Sequence, residues 1–402
     1  MLDVLKKIFF GSRTEREPDV VSIKPDTLPL PSIDSLGDVR GKCVLLRASL
    51  NVPVKDGKVV SAFRLMGVLP TLTYLKERGA RVILLGHIGR EKDESLKPVF
   101  DALTNEVPLK ALVPLTKADM DAATRGLTDG EVLMLENVRG DEGEETNNAA
   151  FSQLLASVAD LYVNDAFADS HRAHASIVGI PKLLPSCFGQ TFIKEYEALK
   201  KAMLPMAPAL LILGGAKFET KLPLIEKYAA VYDHVFVGGA LANDMFKAKG
   251  YEVGTSLVSK GELSLTTLLR NEKILLPIDV TVQGPEGVRI AAPEDVQEDE
   301  SMLDVGPATI AMLHAYTKEA ETILWNGPLG NYEAGFSAYT EACARLVGES
   351  DAYSVIGGGD TIATIESLGL SDQFGFLSTA GGAMLTFLES GTLPGIEAIT
   401  QK

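Results

Sequence analysis

Arginine, histidine and asparagine recur in this chain just beyond short apolar runs. Val44 to Leu46 leads into Arg47, Ser49 and Asn51, and Val82 to Leu85 leads into His87 and Arg90. Val132 to Leu135 leads into Glu136, Asn137 and Arg139, and Leu161 to Val163 leads into Asn164, Asp165, His171, Arg172 and His174. If these runs are parallel strands of one sheet, their ends gather along one edge, where open α/β sheets place their ligands. A guanidinium carries paired donors that match two oxygens of a carboxylate or phosphate, so the chemistry indicated is recognition of a small anion. One arginine after a strand is normally a solvated surface group. Repetition at successive strand ends points to a site.

Later apolar runs end in glycine and lysine instead. Gly214, Gly215 and Lys217 follow Ala209 to Leu213, and Gly238 and Gly239 follow His234 to Val237. Gly357, Gly358, Gly359, Asp360 and Thr361 follow Tyr353 to Ile356. Glycine at a strand-to-helix turn lets backbone N–H groups approach a phosphate, and the helix that follows points its positive end there. Lys217 and Lys221 lie one helical turn apart. That spacing suits either a solvated face or phosphate ligands, and the strand and double glycine before it favour phosphate. No G-x-x-x-x-G-K-[ST] is present, and no glycine turn completes G-x-G-x-x-G with an acidic residue at the ribose distance. Neither a P-loop nor a standard dinucleotide domain is expected.

The elements that must position these groups follow from periodicity. Short apolar runs alternate with helix-length amphipathic segments from Lys42 onward, the pattern of repeated βαβ units. Leu65 to Arg78 and Ala149 to Ser157 read as helices; Ile274 to Val282, Thr322 to Trp325 and Phe374 to Leu377 read as further strands. The charged stretch Ile193 to Lys201 has the Glu–Lys spacing of one well-formed helix and reads as a connector. The fold expected is α/β, with two doubly wound Rossmann-like domains built on mainly parallel sheets and joined by a hinge helix. Residues 1–34 are expected to be a flexible extension, 35–188 and 204–388 the two domains, 189–203 the hinge helix, and 389–402 a tail.

Composition sets the remaining bounds. The chain has 402 residues, 46% of them hydrophobic, and a formal net charge of -16. That charge repels nucleic acid and anionic membranes, so small anionic ligands are expected and nucleic acid is not. Cys43, Cys187 and Cys343 show no C-x-x-C spacing, which favours reduced thiols and a cytoplasmic location. No apolar stretch is long enough for a membrane span. Met1 to Phe10 reads as a frayed helix or docking arm, and a monomer is expected.

Several segments occur in an order that resembles phosphoglycerate kinase: R-A-S-L-N-V-P from Arg47, G-H-I-G-R from Gly86, S-L-K-P from Ser95, L-E-N-V-R from Leu135 and V-N-D-A-F with H-R-A-H-A-S around Asn164 and His171. G-G-A-K from Gly214, W-N-G-P-L-G from Trp325 and G-G-G-D-T from Gly357 complete the set. The resemblance implies reversible phosphoryl transfer from 1,3-bisphosphoglycerate to ADP, giving 3-phosphoglycerate and ATP, with the glycerate on the first domain and Mg²⁺-ADP or Mg²⁺-ATP on the second. It implies that Asn51, Arg64, His87, Arg90, Arg139 and Arg172 form the glycerate pocket, with Ser49 where an aspartate usually stands. Lys217 and Lys221 would contact the nucleotide phosphates, with Arg64 and Lys221 serving the transferring group. Asp360 would hold Mg²⁺ beside Thr361. Gly214, Gly238 and Gly239 would border the base, and Asn326, Pro328 and Glu333 the nucleoside. The tail from about Leu393 would return to the first domain.

The pattern departs at Glu91, Gly140, Ala168-Asp169-Ser170, Asn243, Asp244 and Ala380, and the stretch after Val282 looks short. Two alternatives therefore stay open, a catalytically weakened binding or regulatory protein on the same fold and a kinase for a related phospho-acid.

Overall fold

The computed structural model describes residues 29–60, 63–216, 218–261 and 264–401. In the first half, β1 (Cys43–Ala48), β2 (Arg81–Leu85), β3 (Leu112–Val113), β4 (Val132–Leu135), β5 (Leu161–Asp165) and β6 (Ser186–Phe188) form one sheet in the order β3-β4-β2-β1-β5-β6. All of its pairings are parallel. In the second half, β7 (Ala209–Leu213), β8 (His234–Val237) and β9 (Ile274–Leu275) are followed by β10 (Val280–Gly284), β11 (Gly287–Ala291) and β12 (Ser301–Val305), and then by β13 (Thr322–Asn326), β14 (Tyr353–Gly357) and β15 (Phe376–Leu377). The parallel sheet runs β9-β8-β7-β13-β14-β15, and β11-β10-β12 is a separate antiparallel sheet.

Strands buried on both faces read as continuous apolar runs, which is why Val44, Leu45 and Leu46 and the whole of Ala209–Leu213 are buried. In each parallel sheet the strand order reverses once, between β1 and β5 and between β7 and β13. Arg47 pairs in register with Asn164, and Leu213 with Asn326. Those two crevices are where doubly wound sheets bind ligands.

The connector helix Gln190–Met203 begins after Gly189, which has no side chain to cap it. Asp165 supplies the cap from the end of β5, its Oδ1 accepting the Phe192 N–H at 2.8 Å. The buried face of the helix, Phe192, Tyr196, Leu199 and Met203, joins an apolar cluster that runs without a break from Leu45 and Leu133 to Leu211 and Phe387. The final helix, Pro394–Thr400, returns to the first half, where Gly395 donates its N–H to the Ser170 carbonyl at 2.9 Å.

Several expectations need correction. The stretch Ile274 to Val282 is two strands of different sheets, because Pro277 lacks a ladder donor and the N–H groups of Ile278 and Asp279 turn to Thr309 Oγ1 at 3.0 and 3.2 Å. The helix expected over Leu65 to Arg78 is broken after Met66 and restarts at Leu69, with Pro70 in its first turn. Phe374 is not part of β15. The chain is tied down ahead of residue 35, since Ser32 bridges to Phe188 and Ile33 is buried. Met1 to Phe10 lies outside the described residues, as does Lys217.

Candidate functional site

The end of β1 delivers Arg47 into a closed network. Its guanidinium donates to Ser176 Oγ at 3.0 Å, to Asp169 Oδ2 at 3.1 Å, to His87 Nδ1 at 3.1 Å and to the Ala48 carbonyl. Ser176 in turn bonds Glu144 through both its N–H and its hydroxyl, at 2.9 and 2.6 Å. Arg47 is therefore a buried organiser of the crevice, with every nitrogen of the guanidinium engaged. Because it donates to Nδ1, the His87 ring carries its proton on Nε2, a buried atom with no partner among the described residues. Burial pushes the His87 pKa down to about 3 against the pull of Asp169, so the ring is a neutral donor.

Asp169 holds the opposite state. Burial alone would raise its pKa, but Arg47, His87, Arg172 and Arg64 outweigh that and bring it down to about 2. Arg172 reaches its Oδ1 at 3.4 Å. Arg139 lies beside them, donating to the Gly89 carbonyl and placed 3.4 Å from Glu145. Asn51 accepts the Gly89 N–H at 3.0 Å through its side chain. Of the expected set, Asn51, His87, Arg139 and Arg172 thus converge on one edge. Arg90 stands exposed at the rim; Glu94 Oε2 takes its N–H at 2.6 Å.

Arg64 occupies the junction between the halves. It donates to the Asn51 carbonyl at 2.8 Å and to the Thr379 carbonyl at 3.0 Å. Glu195 of the connector helix accepts the Thr379 N–H at 3.3 Å, and its other oxygen is buried without a partner among the described residues. Ser49 faces the same small gap, with Arg64, Asp165 and Glu195. Burial raises the pKa of Asp165 to about 6 and that of Glu195 to about 7.

On the second sheet the turns after β7, β8 and β13 crowd together. Gly215 donates its N–H to the Pro328 carbonyl at 2.7 Å. A Cβ on Gly239, whose φ is +58°, would lie 2.6 Å from Gly215 N, so only glycine fits. Lys221 Nζ is buried among these turns and donates to the Gly214 carbonyl. With no counter-ion among the described residues, burial lowers its pKa to about 8. In front of the turns opens a cavity of about 500 Å³ lined by Gly215, Gly239, Pro328, Glu333 and Asp360, among others. Gly359 and Asp360 open the helix Gly359–Ser367, and the Thr361 hydroxyl in its first turn is buried without a partner among the described residues.

Asn326, Gly214, Gly238 and Gly357 stand behind this wall. The Asn326 amide faces Met384 Sδ at 3.7 Å, and a Cβ on Gly357 would meet the same sulfur. Asp244 turns away to Ser259, accepting its N–H at 2.9 Å and its hydroxyl at 3.0 Å, and the methyl of Ala380 is buried in the main apolar cluster. Sequence reasoning missed the outer wall, which Thr255, Leu257, Ser301, Asp304, Asn331 and Tyr332 line. Several of these residues sit on or beside the antiparallel sheet, which stays hidden as long as Ile274 to Val282 reads as a single strand.

The family model described as phosphoglycerate kinase matches residues 33–391. A phosphoglycerate kinase of Maricaulis maris is 41% identical over 388 residues, covering 90% of this chain and 96% of that protein. One from Azorhizobium caulinodans is 41% identical over 384 residues, covering 90% and 97%. Among solved structures, phosphoglycerate kinase from Coxiella burnetii superposes with a TM-score of 0.81 at 36% identity, covering 93% of this chain and 99% of its own.

Proposed function

The chain belongs to the phosphoglycerate kinase family, whose reaction it carries out as a phosphotransferase between 1,3-bisphosphoglycerate and ADP, and on that premise we propose how its residues divide the work. The arginine edge of β1, β2, β4 and β5 holds the three-carbon acid, and the cavity before β7, β8 and β13 holds the nucleotide. The observation that carries this reading is Arg64, which ties the acid edge at Asn51 to the start of the second half's last turn at Thr379. Residues 35–188 and 204–388 act as the two domains, with 189–203 as the hinge.

The oxygens that exchange the phosphoryl group, one a carboxylate and one a diphosphate oxygen, are ionised at neutral pH, so no general base is required. Phosphoryl transfer needs alignment and positive charge on the equatorial oxygens. Arg64 can supply both, because each of its present acceptors is a neutral carbonyl that a phosphate would outcompete. His87 Nε2–H adds a neutral donor, and Lys221 and Lys217 add charge from the nucleotide side. Closing the halves about the connector helix would align the reactants and exclude water.

The residues present fit Mg²⁺. Asp360 offers an exposed carboxylate on the cavity wall, with the orphan Thr361 hydroxyl beside it. No cluster of three or more His, Cys, Asp or Glu gathers for a metal among the described residues, which suits an ion held chiefly by phosphates and water. When bound, the ion would supply positive charge to the phosphate oxygens.

Among the described residues no helix is long and apolar enough to cross a membrane, and all three cysteines are free. The free thiols suit a reducing, cytoplasmic setting. The test is coupled turnover with 1,3-bisphosphoglycerate and Mg²⁺-ADP. Arg64→Ala should lower kcat at least about 100-fold, the scale of removing one donor to a developing charge, with the melting temperature little changed. A variant within threefold of the parent would remove Arg64 from the transfer step.

A further inference from the structure

A carboxylate buried in an anion pocket opposes the ligand's charge, so its presence calls for an explanation. Asp169 is such a group. Its Oδ2 meets Arg47 at 3.1 Å, while its Oδ1 is held loosely, 3.4 Å from Arg172 Nη1 and 3.6 Å from His87 Nδ1. His87 Nδ1 cannot serve that oxygen, because it already accepts from Arg47. Oδ1 therefore keeps acceptor capacity at the centre of the cationic edge. Of the other buried carboxylates nearby, Glu144 spends both oxygens on Ser176, while Asp165 and Glu195 each spend one oxygen on a backbone N–H, of Phe192 and of Thr379, and keep the other without a partner among the described residues in the junction gap with Arg64. Ser49, on the neighbouring strand end, offers a hydroxyl without charge.

A ligand that brings anionic groups for the arginines and a hydroxyl for Oδ1 would satisfy every member of this set. The hydroxyl would donate to an ionised acceptor, the stronger class of hydrogen bond. We propose that Asp169 is a specificity-determining residue that reads the 2-hydroxyl of the bound three-carbon acid. A ligand lacking that hydroxyl leaves Asp169 facing the incoming anion with only its own partners, Arg47 and Arg172, to offset the repulsion. Rejection of an analogue by an unpaired polar group is typically large.

This inference rests on the acid-pocket reading above, and the test separates the two. Binding of 3-phosphoglycerate and of 3-phosphopropionate, which has the same anionic ends and no hydroxyl, is measured by calorimetry for the parent chain, Asp169→Ala, Asp169→Asn and Ser49→Ala. The parent should favour 3-phosphoglycerate at least tenfold. Asp169→Ala should shrink that preference to within threefold, by weakening 3-phosphoglycerate while leaving 3-phosphopropionate unchanged or tighter. Asp169→Asn, which keeps an oxygen acceptor and the side-chain shape, should retain part of the preference, and Ser49→Ala most of it. Equal weakening of both ligands would reduce Asp169 to a structural counter-ion, and loss of the preference in Ser49→Ala alone would move the role to Ser49; either result overturns the proposal. Failure of the parent to bind either acid would overturn the pocket reading itself.

Discussion

Lys221 is a buried cation with no anionic neighbour among the described residues, and replacing it should separate stability from function. Its pKa falls from 10.5 to about 8 through burial; that difference is equivalent to about 3 kcal/mol of disfavoured charge in the folded state. Lys221→Met keeps most of the length and volume without charge, but loses the hydrogen bond to the Gly214 carbonyl, a cost of about 1.5 kcal/mol. The net is a fold more stable by about 1–2 kcal/mol, which in a domain of this size class raises the melting temperature by about 2–6 °C. The unfolded chain binds more protons than the folded one between pH 8 and 10.5, so the stability of the parent rises with pH across that window. The advantage of the variant should therefore shrink from pH 7 to pH 10. If Lys221 serves the transferring group as proposed, turnover should fall at least about 100-fold, since that charge is gone. Thermal melts across pH and a coupled assay read both effects. A variant that melts below the parent at pH 7, or a stability gap that ignores pH, would show that the surrounding backbone dipoles already balance the ammonium.

Two further outcomes follow from the junction and the glycine turns. Asp165 and Glu195 have folded pKa values raised to about 6 and about 7, so they contribute stability when protonated and lose it as pH climbs through those values. Melting temperature should decline from pH 5 to pH 7.5, and the double variant Asp165→Asn with Glu195→Gln should flatten that slope; an unchanged slope would assign it to other groups. Gly239→Ala would force a methyl against Gly215 N in a conformation with φ of +58°, so nucleotide affinity should drop more than tenfold while 3-phosphoglycerate affinity stays the same. Equal losses at both sites would mean that the turn supports the whole fold and not the cradle.

The parallel sheets were legible in the sequence because a strand buried on both faces must be apolar throughout, and β7 and β8 fall on the residues that periodicity marks. The connector was legible because Glu197 and Lys201 stand four residues apart, a spacing that pairs them on one helical face. What stayed hidden has a physical cause in each case. The strand β3 is two residues long, too short to carry a period, and β9, equally short, runs into β10 in one apolar stretch, so that the two read as a single strand. In the antiparallel sheet β11 is exposed from Gly287 to Ile290, so Val288 and Ile290 face solvent and its apolar content looks diluted.

At the site, residue types were legible and side-chain assignments were not. Arg47 and Arg90 look equivalent after their strands, yet one is fully buried in a network and the other is exposed. Nothing in the spacing distinguishes them, because the difference is made by residues distant in sequence: Asp169 and Ser176 claim Arg47 from more than a hundred residues away. The same distance explains Asp169 itself. Read locally, it is an acidic residue in a turn; only when β5 is laid beside β1 does the turn bring a carboxylate to the guanidinium and leave its other oxygen loosely held by Arg172 at 3.4 Å. The chemistry of this edge is therefore a property of the strand order, β2-β1-β5, and a change that kept every residue but loosened that register would abolish it.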